Sequence, residues 1–138
     1  MLAVCRGNEQ NAGCKENLTC DKHRGNTPLT VNPCSPPTLA QIHYHNDATI
    51  YSDDPAVDYD LNTVLNLNCT AARLPANRQS ALNALKQKIA VDLKNKPMSQ
   101  AVCQKYLDHY HSKNTSGELV PYVGILIRYL EKKMRQIH

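Results

Sequence analysis

Apolar residues in the second half of the 138-residue chain recur every three or four positions, the period of an α-helix. From Leu74 this period predicts a helix that ends before Pro97. It resumes after Ser99, which can cap a helix, and continues to about Ser112. A third helix is predicted to start near Pro121. Its apolar face comprises Val123, Leu126, Ile127, Leu130, Met134 and Ile137.

Alternating apolar and polar residues predict a two-stranded hairpin over 42–51. The turn at 45–48 contains an Asn-Asp pair, and both residue types tolerate the positive φ of a tight turn. A short helix over 61–65 is predicted to follow, and either Asp58 or Asp60 is expected to cap it.

The first 40 residues are polar and rich in proline. An apolar run at 2–5 predicts a short strand, and one helical turn is predicted from Cys20 onward. Four prolines between 27 and 40 fix φ and remove backbone donors, which predicts a linker without regular structure. The predicted fold is α+β and mostly helical, with 1–40 as an N-terminal part with its linker and 41–138 as a hairpin plus a helical body.

Composition excludes some protein classes. The mean hydropathy of −0.52 and the lack of an apolar run of about 18 residues argue against a membrane protein. The first residues lack the charged start and the length of a signal peptide, so we expect a cytoplasmic address.

The formal net charge of +4 is compatible with a polyanionic partner but does not require one. In a cytoplasmic protein the six cysteines are expected to be reduced rather than paired in disulfides.

The most specific feature is an order of short motifs over roughly residues 1–90. The motifs are LAVCRGN at 2–8, CDKHRG at 20–25, LTVNP at 29–33, IHYH at 42–45, TIYSDD at 49–54 and LNTVLNLN at 61–68. This order resembles the HNH endonucleases of Septu-type and retron-linked anti-phage systems. The last 48 residues match that family more loosely.

The resemblance implies that the N-terminal part is the remnant of a ββα-metal (HNH) finger. In the family, a Cys-x-x-Cys pair and the strand with the general-base histidine precede the matched region. The chain is therefore expected to be the C-terminal part of a divalent-metal-dependent DNA endonuclease, without a catalytic residue of its own and inactive alone.

The same resemblance assigns site residues. Asp21 takes the place of the last metal-facing residue, where a carboxylate suits magnesium or manganese. Cys5 and Cys20 resemble the second pair of structural zinc ligands. Lys22, His23 and Arg24 are the expected contacts to DNA phosphates.

Each assignment has a plainer alternative. Asp21 is about as well explained as the cap of a helix that opens at Lys22. With two of four zinc ligands present, a complete site would need Cys14, His23 or Cys34, and reduced free thiols are favoured instead. An exposed helical turn explains His23 equally well.

Four other histidines form two pairs, each with two-residue spacing. His43 and His45 share one face of the predicted hairpin, where a metal is a minor possibility. His109 and His111 lie on a predicted helix, where residues two apart do not share a face, and are expected in solvent. Several Lys and Arg residues of the helical body are candidate phosphate contacts, although a solvated helix face is the commoner explanation. They are Arg73, Arg78, Lys86, Lys132, Lys133 and Arg135.

Three hypotheses follow. The first is the incomplete HNH endonuclease, with DNA as its partner. The second is a docking module, in which the helical body joins the finger to an ATPase partner of the kind that accompanies the resembled family. The third is a small redox-sensitive or zinc-binding regulator that uses Cys5, Cys14, Cys20 and Cys34.

Overall fold

The computed structural model describes residues 7, 8, 12–32 and 35–137. These residues divide into two compact units, one ending at Ala76 and the other beginning at Asn77. The first unit contains a 3₁₀ turn (Lys15–Asn17), α1 (Cys20–Arg24), α2 (Pro36–Ala40), β1 (Ile42–Tyr44), β2 (Ile50–Ser52), α3 (Pro55–Tyr59) and a π-helical turn (Asp60–Val64). Most of α4 (Leu74–Leu93), then α5 (Gln100–His111) and α6 (Val123–Gln136), form the second unit. The predicted fold class, α+β and mostly helical, is confirmed.

Strands β1 and β2 form the predicted antiparallel hairpin, with Tyr44 opposite Ile50. Ile50 packs with Val57 of α3 in the core of the first unit. The turn differs from the prediction, because its left-handed residue is Ala48, with a φ of 66°. Asp47 instead stabilises the turn by accepting hydrogen bonds from the backbone N–H and the hydroxyl of Thr49.

The prediction that Asp58 or Asp60 caps the helix after the hairpin is wrong. The cap is Asp54, whose carboxylate accepts hydrogen bonds from the N–H groups of the first helical turn. Asp58 lies inside α3 and accepts from the backbone N–H of Ser52 in β2. Helix α3 therefore begins earlier than the apolar pattern indicated, and it continues into the π-helical turn.

The proline-rich stretch is more ordered than the predicted linker. Prolines begin α2, where a missing N–H costs nothing because the first turn of a helix leaves its N–H groups unpaired. The backbone N–H groups of Thr30 and Val31 donate to the carboxylate of Asp60 at 2.9–3.0 Å. Asp60 is 4% exposed, so a buried carboxylate fastens this stretch to the rest of the unit.

The three helices of the second unit match the prediction closely. Ser99 accepts a hydrogen bond from the N–H of Val102, which confirms its predicted capping role. Cys103 of α5 and Leu130 of α6 are both fully buried, and the thiol of Cys103 donates to the carbonyl of Leu130. No described helix combines the length and the apolar character that crossing a lipid bilayer requires.

Tyr106 of α5 makes the second unit sensitive to high pH. Burial, and then its hydrogen bond to the Asp92 carboxylate, raise the pKa of Tyr106 from 10.0 to about 12. The folded state favours the protonated phenol, so its stabilisation is complete below pH 10 and is lost as the pH rises toward 12. Tyr106→Phe is expected to lose less stability over that window in denaturant titrations. A Tyr59→Phe control should match the parent chain, and an identical pH profile for Tyr106→Phe would contradict the assignment.

Candidate functional site

Helix α1 carries the predicted nucleic-acid-binding residues, and the Leu-Asn-Leu-Asn segment at 65–68 anchors it. The backbone N–H of Cys20 donates to the carbonyl of Leu65 at 2.7 Å. The side chain of Asn66 donates to two carbonyls of the segment before the helix, those of Glu16 and Leu18, each at 2.9 Å. One backbone hydrogen bond and two from the Asn66 side chain thus hold the segment 16–20 against 65–66, which fixes where α1 begins.

Cys20 itself has an unusual backbone conformation. Its φ is 53°, in the left-handed region that non-glycine residues enter at a cost of about 1–2 kcal/mol. The hydrogen bond to Leu65 holds it there. Helix α1 begins at Cys20, so Asp21 lies within its first turn.

His23 connects the same helix to the body of the unit. Its Nδ1 lies 2.9 Å from the carbonyl oxygen of Val64. A carbonyl oxygen can only accept a hydrogen bond, so Nδ1 must carry the proton. In the neutral ring, Nε2 then carries the lone pair, and the half-buried imidazole is held in one orientation.

Charged residues flank His23 along the chain. Lys22 is exposed and Arg24 is half-buried, and the Arg24 guanidinium donates to the carbonyl of Thr27 at 3.2 Å. On the acidic side, a backbone hydrogen bond lowers the pKa of Glu16, helped by Cys14 and more weakly by the positive charge of Lys15. The surroundings of α1 are therefore mixed in charge, with its cations toward the C-terminal end.

Gly7 of the first motif lies directly against the start of α1. The backbone N–H of Thr19, which is buried, donates to the Gly7 carbonyl at 2.9 Å. The φ of Gly7 is +61°, and a Cβ there would come within 2.7 Å of the Lys22 Cβ. Only glycine fits this position. Gly7 of the LAVCRGN motif therefore lies against Lys22 of the CDKHRG motif, although the two are 15 positions apart in sequence.

The second asparagine of the Leu-Asn-Leu-Asn segment, Asn68, pairs with the backbone of strand β2. The side-chain amide of Asn68 accepts from the N–H of Ile50 at 2.7 Å and donates to its carbonyl at 2.8 Å. It also contacts the side-chain oxygen of Asn62. Sequence reasoning did not assign roles to these asparagines. The motif order was the signal that could have identified them, because it included this segment.

The predicted metal and zinc residues are only partly within the described residues. Cys5, Cys34 and the side chain of Asp21 lie outside them. Cys14 is exposed, Cys20 is half-buried, Cys69 and Cys103 are buried, and none of these four described cysteines forms a disulfide. Across the described ranges no three His, Cys, Asp or Glu residues form a group suited to a metal ion. The magnesium, manganese and zinc predictions therefore stay predictions.

The histidine pairs have simpler surroundings. The ring of His45 stacks on Tyr51 with centroids 3.9 Å apart, and His43 lies beside the same tyrosine and 4.0 Å from an oxygen of Asp53. The two imidazoles thus share one hairpin face, as predicted, and both contact the ring of Tyr51. On α5, His109 and His111 are both exposed, which confirms the expectation that they lie in solvent.

Comparison of the chain with protein-family models, with curated proteins and with solved structures finds no match. The function must therefore be inferred from the residues and their contacts. The part of the chain with the most constrained chemistry is α1 with its anchor at 64–66. It combines a strained residue, Cys20, with an oriented imidazole, His23, and two flanking cations.

Proposed function

We propose that the chain forms part of an HNH-type, divalent-metal-dependent DNA endonuclease, in which α1 contributes to the metal and phosphate side of the site. The observation that carries the proposal is the imidazole of His23, whose Nδ1 proton is bound to the Val64 carbonyl. Histidines that bind metals commonly donate their other ring N–H to a carbonyl, which leaves the second nitrogen free to bind the ion.

The residues of α1 suit the chemistry of this reaction. HNH hydrolysis uses a divalent cation against the scissile phosphate and a neutral histidine that takes a proton from water. In this chain Asp21 and His23 would hold the cation. The carboxylate suits magnesium or manganese, and the imidazole nitrogen adds a ligand that transition-metal ions such as manganese accept more readily than magnesium does. Lys22 and Arg24 would contact the neighbouring phosphates.

The matched motifs do not include the strand that carries the general-base histidine. Loss of a positioned general base alone lowers a rate by about 10²- to 10⁴-fold. We therefore expect these 138 residues by themselves to bind DNA in a metal-dependent way without appreciable cleavage.

The test is duplex binding with and without Mn²⁺, measured by fluorescence anisotropy on the purified chain. Mn²⁺ is expected to strengthen binding, and His23→Asn is expected to weaken Mn²⁺ affinity by about tenfold or more. Asparagine can keep the hydrogen bond to the Val64 carbonyl, since its amide nitrogen lies near the position of Nδ1, but it has no counterpart to Nε2. This variant separates the ligand role of His23 from its anchoring role.

His111→Asn, on an exposed helix face, is the matched control and should leave Mn²⁺-dependent binding unchanged. If Mn²⁺ has no effect on DNA binding by the parent chain, the proposal fails. Plasmid cleavage with Mg²⁺ that Asp21→Ala abolishes would support the endonuclease and overturn only the expectation of inactivity.

One observation favours the docking hypothesis as a second candidate. Leu119, Val120 and Tyr122, just before α6, are 37–45% exposed, and apolar side chains clustered on a surface often bind protein. The partner would be an ATPase of the kind that accompanies the resembled family. Leu119→Ser with Val120→Ser should then weaken the complex of the two purified proteins without changing the melting temperature of the chain. An unchanged affinity would count against docking through this segment.

A further inference from the structure

Positive charge is concentrated in the second unit. Residues 77–138 contain eleven Lys and Arg against four Asp and Glu, a formal net charge of +7, whereas residues 1–76 contain five against eight, a net charge of −3. The modest charge of the whole chain hides this difference. Attraction to a polyanion is therefore expected to come mainly from the helical unit rather than from α1.

Two of these cations lie over one aromatic ring, and a third follows that ring by one turn of the same helix. The ammonium nitrogens of Lys86 in α4 and Lys133 in α6 lie 5.4 and 5.6 Å from the ring centroid of Tyr129, within the range of cation–π attraction. Lys132 follows Tyr129 by three positions, which places it on the adjoining helix face. We call these four residues, Lys86, Tyr129, Lys132 and Lys133, the Tyr129 surface.

The acidic residues of the unit do not neutralise this surface. Glu131 pairs with Arg128 at 3.0 Å. Asp92 accepts a hydrogen bond from Tyr106, and Asp108 accepts one from Gln104. Within the ranges that the structure describes, the three lysines of the Tyr129 surface have no carboxylate within 4.0 Å. All three lysines are exposed, so their charge faces solvent.

We propose that the Tyr129 surface binds the phosphate backbone of double-stranded DNA. A duplex carries one negative charge per about 1.7 Å of its length, dense enough for several ammonium groups on one helix face to contact phosphates together. The cation–π contacts restrict Lys86 and Lys133 beforehand, which lowers the entropy lost on binding. The proposed endonuclease enters this inference only in the choice of duplex DNA as the polyanion.

The position of the ring favours nucleic acid over a membrane. Tyr129 is half-buried, and burial raises the pKa of its phenol. Adsorption to an anionic bilayer is strengthened by exposed apolar side chains beside the cations, and the other three members of the surface are lysines. An acidic protein segment presents its carboxylates more sparsely than a duplex presents phosphates.

The test compares two triple variants of the full chain in EDTA, so that no metal contributes. Lys86→Gln with Lys132→Gln and Lys133→Gln removes the surface. The control, Lys88→Gln with Lys96→Gln and Lys105→Gln, removes the same charge from other exposed positions of the unit. Binding of a duplex of about 20 base pairs is followed by anisotropy between about 50 and 200 mM salt.

The surface variant is expected to bind about tenfold or more weakly at low salt, and its slope of log affinity against log salt should fall by about three. The control should change affinity by less than about twofold. Equal losses in both variants, or no loss in either, would overturn the proposal. So would a surface variant that keeps duplex binding but loses binding to polyglutamate or to phosphatidylserine vesicles.

This result is independent of the His23 experiment. If Mn²⁺ does not strengthen DNA binding but the surface variant still binds DNA more weakly, the endonuclease proposal fails and the DNA surface stands. If Mn²⁺ strengthens DNA binding through His23 but the surface variant binds DNA like the parent chain, the metal site stands and the DNA surface fails. Circular dichroism of each triple variant checks that the helices of the second unit remain folded.

Discussion

Asp60→Ala is expected to lower the free energy of unfolding of the first unit by about 3 kcal/mol. Asp60 is 4% exposed, and its carboxylate accepts three hydrogen bonds from the two N–H groups of Thr30 and Val31. Hydrogen bonds to a charged acceptor contribute about 1.5–3 kcal/mol. Alanine removes the acceptor and leaves two backbone donors without a partner.

Asp60→Ala should also loosen the proline-rich stretch locally, in addition to lowering the stability of the whole unit. Because the carboxylate holds 30–31 against the unit, hydrogen exchange of the Thr30 and Val31 amides is expected to accelerate in Asp60→Ala before the rest of the unit opens. Urea titration followed by tyrosine fluorescence gives the change in stability. Asp60→Asn keeps one acceptor oxygen and should lose less.

Asp53→Ala is the control, since the Asp53 side chain is 89% exposed. It should stay within about 0.5 kcal/mol of the parent chain. If Asp60→Ala is as stable as this control, the carboxylate does not fasten the stretch.

The helices of the second unit were predictable because their signals are local. A stripe of apolar residues at helical spacing, with Ser99 as a cap and Pro97 as a break, requires no knowledge of the fold. The cap of α3 was missed because local signals do not decide it. Asp54, Asp58 and Asp60 are all good capping residues, and only the tertiary bonds to Ser52 and the proline-rich stretch decide which one remains available.

The anchor of α1 could not be predicted from local patterns. Asn66 and Asn68 read as ordinary loop residues, yet each pairs with backbone groups 18 or more positions away. The orientation of His23 depends in the same way on the Val64 carbonyl, 41 positions along the chain. The motif order indicated that these segments belong together, whereas the identity of the bonded atoms emerges only from the fold. The lysines of the Tyr129 surface could be named from the sequence as candidate phosphate contacts. Their grouping could not, because it depends on Lys86 of α4 and Lys133 of α6 lying over the same ring.

Leu130→Ala is expected to destabilise the second unit by about 3–4 kcal/mol. Leu130 is fully buried at the packing of α5 on α6, where Cys103 contacts its backbone. Truncation removes buried methyl groups and leaves a cavity that the neighbouring helices fill only partly. Val91→Ala, at a position 74% exposed, should cost less than about 0.5 kcal/mol. Thermal unfolding by circular dichroism measures both variants, and a melting temperature for Leu130→Ala equal to that of Val91→Ala would show that α6 does not form the core of this unit.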